Sequence, residues 1–186
     1  MIQLFTFFAI LGACLQAHSY GGLTNGLLLS GNVATLNQQT ETQTSGTTKS
    51  TLKIQIADIK IGQITENGWY FGALYHSQNQ GSSTSTDRTH SPGLSFGYTL
   101  PEGLYFFGHV LGFAEFKDNT NSIEYTEGTG FAADIGYLTD LTTTLYVGFC
   151  YSFRQLEFKK RKPEFSSFQS RKYSEQSPML SIALLF

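Results

Sequence analysis

From Leu23 onward, apolar and polar residues alternate in long runs, the two-residue period of strands with one face buried. The pattern predicts eight strands: Leu23 to Asn37, Thr51 to Ile64, Trp69 to Gln78, Ser91 to Leu100, Leu104 to Lys117, Ser122 to Leu138, Thr142 to Phe158 and Tyr173 to Phe186. Their connections alternate in length. Polar loops at Gln38–Ser50, Asn79–Thr89, Asp118–Asn121 and Lys159–Lys172 are interleaved with tight turns at Thr65–Gly68, Pro101–Gly103 and Thr139–Leu141. Short turns at one end and longer loops at the other are expected of a transmembrane barrel. A soluble barrel needs no such division.

The facing pattern points the same way. Leu180, Ile182, Leu184 and Phe186 share one face of the last strand, opposite Met179, Ser181, Ala183 and Leu185. Leu145, Val147, Phe149, Tyr151 and Phe153 oppose Gly148, Cys150, Ser152 and Arg154. Phe131, Ala133, Ile135 and Tyr137 oppose Gly128, Gly130, Asp134 and Gly136, and Leu23, Leu27, Leu29 and Val33 oppose Thr24, Gly26, Ser30 and Asn32. An eight-stranded barrel has an interior just wide enough for side chains, so the bulky set is expected outside and the small, polar set inside. The openings Trp69–Tyr70–Phe71–Gly72, Leu104–Tyr105–Phe106–Phe107 and Leu145–Tyr146–Val147–Gly148 form a weak repeat with a period of one hairpin. Trp69, Tyr98 and Tyr137 at strand ends suit an interfacial aromatic girdle. The second strand fits worst. Leu52, Ile54 and Ile56 share one face, Ile59 and Ile61 the other, which calls either for a β-bulge near Ala57–Asp58 or for a strand running beyond the membrane.

The N-terminus adds export. Ile2 to Ala13 is apolar but shorter than the roughly 20 residues of a spanning helix, and has the length of a signal-peptide core. Cleavage fits after Ala17 or after Ser19, so residues 1–19 are read as a cleaved signal and 20–186 as one barrel domain. An alternative uses Leu11–Gly12–Ala13–Cys14 as a lipobox with Cys14 lipidated. After processing only Cys150 remains, which excludes an intramolecular disulfide. A net charge of −2 argues against nucleic-acid binding.

The closing run Leu180–Ser181–Ile182–Ala183–Leu184–Leu185–Phe186 resembles the C-terminal signal of outer-membrane proteins. That resemblance implies Leu180, Ile182, Leu184 and Phe186 as an assembly signal and the barrel-assembly machinery as a partner during biogenesis. In layout the chain is similar to the eight-stranded outer-membrane barrel superfamily, which includes outer-membrane protein X and the membrane domain of outer-membrane protein A. The implied fold is an all-β, antiparallel, up-and-down transmembrane barrel, monomeric, in the bacterial outer membrane.

Function is read from the loops and the lumen. Lys159, Lys160, Arg161, Lys162, Arg171 and Lys172 cluster in the last loop, where they are expected to meet lipopolysaccharide phosphates, with Phe158, Phe165 and Phe168 dipping into the outer leaflet. This makes a structural or surface-interaction role the leading reading. Lys60, His109, Glu115, Asp134 and Arg154 are assigned inward, as a salt-bridge plug or, alternatively, the lining of a narrow channel for ions or small solutes. A third reading is a lipid A or phospholipid-modifying enzyme. His76–Ser77 and His90–Ser91 pair a base with a nucleophile, but neighbours along a strand point to opposite faces and form no dyad. No catalytic residue, metal or cofactor is therefore assigned: His18, His76, His90 and His109 are scattered, and Cys150 has no His or Cys nearby.

Overall fold

The computed structural model describes residues 23, 25–34, 38–43, 46–50, 54–82, 85–119, 121–163 and 170–186. The expected signal segment, Cys14, Thr24, Phe165 and Phe168 lie outside them.

Among the described residues, eleven strands build one antiparallel sheet: β1 (Gly26–Ala34), β2 (Gln38–Gln43), β3 (Gly46–Ser50), β4 (Ile54–Ile64), β5 (Trp69–Ser82), β6 (Ser85–Thr99), β7 (Leu104–Asp118), β8 (Ile123–Asp140), β9 (Leu145–Phe158), β10 (Lys160–Lys162) and β11 (Arg171–Leu185). Eight of them, β1, β4, β5, β6, β7, β8, β9 and β11, pair in that order, and β11 returns to β1 from Leu28↔Leu185 to Val33↔Leu180. Closure leaves no sheet edge in the wall, as the expected barrel requires. The final residue takes part: Leu27 N donates to the Phe186 carbonyl (2.9 Å) and Phe186 N to that of Leu27 (3.1 Å).

The tight turns lie at one end. Gly68 N donates to the Thr65 carbonyl and Gly103 N to that of Leu100, each at 2.9 Å. Both glycines have positive φ (83° and 93°), a backbone that costs a residue with a Cβ about 1–2 kcal/mol. The third turn, Leu141–Thr144, starts later than expected because β8 runs on to Asp140; the Thr142 hydroxyl closes it by accepting from Leu145 N (3.1 Å).

At the other end, much of the expected loop sequence is strand. β2 pairs with β11 and β3 folds back on β2, so the polar stretch Gln38–Ser50 carries a hairpin. β5 and β6 stay in register up to Ser82↔Ser85, which turns most of Asn79–Thr89 into ladder. β10 pairs with β8 within the basic loop. The ladders simply continue: Thr favours a pleated strand, and the backbone groups find partners whatever the side chains face.

The expected bulge at Ala57–Asp58 is absent. β4 keeps unbroken register with β1 and β5, so Ile56 faces inward beside Ala34 while Ile59 and Ile61 face out. Irregularity falls instead on β7. Leu111↔Gly130 is followed by Ala114↔Gly128, and Glu115↔His90 by Leu111↔Gly93, so β7 carries one extra residue at Gly112–Phe113, where Phe113 has φ 52°. A second bulge at Glu127 (φ 53°) restores the phase on β8.

The outer wall is apolar, as the alternation predicts: Leu94, Phe96, Phe106, Val110, Phe131, Ile135, Leu180 and Ile182 are all exposed there. Trp69 and Tyr98 meet edge-on at 5.3 Å near the turns, where a girdle is expected, whereas Tyr137 is nearly covered.

The interior holds more aromatic bulk than the sequence suggests. Tyr70, Tyr105, Phe107, Tyr146, Phe116, Tyr125, Phe158 and Tyr173 are buried in it. Glycines on neighbouring strands make room. A Cβ on Gly136 would lie 2.4 Å from the Tyr105 ring, and one on Gly97 2.5 Å from that of Phe107. Leu23, expected outside, is buried instead, and its carbonyl accepts from Thr99 Oγ1 of β6 (3.0 Å).

Candidate functional site

The interior carries a charge network. Lys60 (β4), His109 (β7), Asp134 (β8) and Arg154 (β9) face inward and are buried, as the alternation predicts. Glu115 does not join them. The β7 bulge shifts the phase by one residue, so Ala114 and Phe116 turn inward and Glu115 faces out.

Two centres form. Asp134 pairs with Lys60 and with His109 Nε2 (3.1 Å), and His109 Nδ1 meets Ser95 Oγ at 2.7 Å. Asn32 belongs here too. With its amide assigned by its partners, its oxygen accepts from Lys60 Nζ (2.6 Å) and its nitrogen donates to Ser181 (3.0 Å). In the second centre Arg154 donates to Asp58 (2.9 Å) and lies 3.7 Å from Glu175. Asp58 also meets His76 Nδ1 at 2.7 Å, and Tyr173 donates to Glu175 (2.8 Å).

Asp58, His76 and Glu175 had no place in the predicted network. A signal for Asp58 was present, since it lies two residues from Lys60 on the same face. Glu175 likewise shares a face with Ser177 and Ser181, but its pairing with Arg154 needs the β9–β11 register.

Burying these ions without partners would cost several kcal/mol each; paired and hydrogen-bonded they are tolerated. They are also hemmed in by apolar groups. Lys60 Nζ lies 5.9 Å from the Phe107 ring, in the cluster with Tyr70, Tyr105 and Leu138. Tyr173, which bonds Glu175, belongs to the cluster of Leu111, Phe116, Leu156 and Phe158. Such an arrangement crosslinks strands far apart in sequence.

The basic residues divide. Lys159, Lys162 and Lys172 are exposed. Lys160 is exposed but pairs with Glu127, and Lys172 stands opposite Glu157. Arg161 is half-buried on β10, opposite Tyr125. Arg171, expected at the lipid phosphates, is buried (8% exposed): its guanidinium lies 4.4 Å from the Phe116 ring and 4.5 Å from that of Tyr125, because odd-numbered residues of β11 face inward. Phe158, expected in the outer leaflet, is likewise inside (1% exposed) for the same parity reason on β9. The assembly-signal residues Leu180, Ile182, Leu184 and Phe186 all lie on the outward set of the last strand.

His76 and Ser77 point to opposite faces, as do His90 and Ser91, which agrees with the exclusion of dyads along a strand.

No protein-family model matches the sequence, and no curated protein sequence matches it. Among solved structures, the crystal structure of Neisserial surface protein A (NspA) matches with a TM-score of 0.60 at 12% identity, over 87% of this chain and 97% of that one. The outer membrane protein OprG from Pseudomonas aeruginosa matches with a TM-score of 0.47 at 11% identity, over 92% and 98%. At 12% identity the likeness to NspA is one of fold alone, and with the closure of β11 on β1 it makes the chain a closed eight-stranded antiparallel barrel.

Proposed function

We propose that the chain is an outer-membrane protein whose barrel is a closed scaffold rather than a channel, and that it presents its extended hairpin end at the cell surface. The observation that carries this reading is the interior: Asp58, Arg154 and Glu175 form one buried ionic centre, Lys60, Asp134 and His109 another, and both abut aromatic clusters. A solute would have to break paired charges, at several kcal/mol, at the same time as it displaced packed rings. The apolar outer wall and the Trp69–Tyr98 girdle support placement in a bilayer.

Refolded protein in a planar bilayer is expected to give no discrete conductance steps while showing the heat-dependent gel shift of a closed barrel. Reproducible steps from protein that shows the shift would refute the scaffold reading and favour the channel.

Contact with lipopolysaccharide is part of the same proposal, carried now by the exposed Lys159, Lys162 and Lys172 rather than by the whole basic run. Reversing these three charges is expected to sensitise cells to agents that displace lipopolysaccharide counterions. Unchanged sensitivity at normal expression would remove this part alone.

A further inference from the structure

The exclusion of a Ser–His dyad holds only along a strand. Residues opposite each other on paired strands share a face, and their β carbons lie about 4.5–5.5 Å apart. Ser77 of β5 is paired in this way with His90 of β6, and His90 with Glu115 of β7. All three are on the outward set: Ser77 and His90 are half-exposed, Glu115 exposed. Glu115 reaches this face only through the β7 bulge that removed it from the lumen. A hydroxyl, an imidazole and a carboxylate therefore stand side by side on three adjacent strands.

Their depth matters. Below them the wall is apolar, with Tyr75, Leu94, Val110 and Phe113 exposed, Phe113 at 88%. Beyond them come Asn79, Arg88 and Lys117 on the same strands. The row thus sits at the upper boundary of the apolar band, the level at which the ester groups of a lipid lie between its chains and its headgroup.

His90 is held. Its Nδ1 is 3.1 Å from the Tyr75 hydroxyl, and the two rings stack with centroids 6.0 Å apart. In the tautomer whose Nδ1–H donates to the Tyr75 hydroxyl oxygen, Nε2 carries no proton and is the nitrogen that can take one. The bulge at Gly112–Phe113, neither of which has a register partner on β6 or β8, is what turns Glu115 onto this face.

We propose that Ser77, His90 and Glu115 form a serine-esterase site on the outer wall that hydrolyses acyl esters of membrane lipids. Ser77 Oγ attacks the ester carbonyl and its proton passes to His90 Nε2, while Glu115 stabilises the imidazolium. The C–O bond to the lipid alcohol breaks, and the departing oxygen takes that proton, leaving acyl-Ser77. A water deprotonated by His90 attacks the acyl group, releasing the fatty acid and restoring the serine. The net reaction is ester plus water to acid plus alcohol. Tyr75 is a positioning residue.

The test uses the full mature chain refolded into two kinds of vesicle, one of phosphatidylethanolamine and phosphatidylglycerol, one carrying lipid A. Fatty-acid release is read by mass spectrometry, and a fluorophosphonate probe is mapped by peptide mass. Expected results are an adduct at Ser77 and release that falls ~100-fold or more in Ser77→Ala and in His90→Gln. Tyr75→Phe is expected to lower kcat with KM unchanged. Release from one vesicle type alone supports the site and identifies its lipid. All these side chains face the lipid, so the gel shift is expected to persist in the variants, and the adduct on the unaltered chain needs no variant at all. Undiminished release in Ser77→Ala, or folded protein giving neither adduct nor release, overturns the proposal.

Discussion

Arg154 is the most informative residue of the interior to remove. It is fully buried, donates to Asp58 at 2.9 Å and lies 3.7 Å from Glu175. Arg154→Met keeps much of the side-chain volume but strands two carboxylates inside the barrel. Among the described residues, Asp58 then keeps the hydrogen bond to His76, and Glu175 that from Tyr173. Removing one partner of a buried ion pair typically costs about 3–5 kcal/mol. At about 1.4 kcal/mol per factor of ten, that is about two to three and a half orders of magnitude in the folding equilibrium. The assay is reversible urea unfolding in detergent micelles, followed by gel mobility and by fluorescence of Trp69, the single tryptophan. A triple variant separates charge from packing: adding Asp58→Asn and Glu175→Gln to Arg154→Met removes every stranded charge and should recover most of the loss. Two results would refute the reasoning. One is an Arg154→Met variant within about 0.5 kcal/mol of the parent, the range of ordinary surface substitutions. The other is a triple variant as unstable as the single one, which would make Arg154 a packing element and not an ionic crosslink.

Other outcomes follow from particular contacts. Gly136→Ala places a Cβ 2.4 Å from the Tyr105 ring and should cost about 1–3 kcal/mol in the same urea assay. Much of that cost should be relieved in Gly136→Ala combined with Tyr105→Leu, and a purely additive pair would show that the ring is not the obstacle. Arg171→Lys keeps the charge but gives up the flat guanidinium that lies within 4.5 Å of Phe116 and Tyr125, so a loss of about 1–2 kcal/mol is expected. No change in unfolding would mean that Arg171 contributes through charge alone.

The conductance expectation and the esterase expectation are independent. The first depends on residues inside the barrel, the second on a row outside it. A conducting barrel can carry a working Ser77, and a closed one can lack activity.

The alternation of residues along the chain was enough to establish eight wall strands, the short turns at one end and, away from the bulges and strand ends, which residues face out. These are local properties. A two-residue period assigns faces within a strand, and Gly68 and Gly103 mark turns whose backbone suits glycine. The inward placement of Lys60, His109, Asp134 and Arg154 followed from the same parity. What needed the closed barrel was anything that depends on how one strand is set against another. Arg154 and Asp58 are 96 residues apart, and no period relates them. The β7 bulge moves Glu115 from lumen to outer wall, and nothing in the run Leu111–Gly112–Phe113–Ala114 fixes its place without the registers on both sides. The interior rings of Tyr105 and Phe107 fit because glycines lie beside them on neighbouring strands, a complementarity invisible along one strand. Ser77, His90 and Glu115 share a row for the same reason. Facing is encoded residue by residue, whereas register emerges from pairing and closure of the whole sheet.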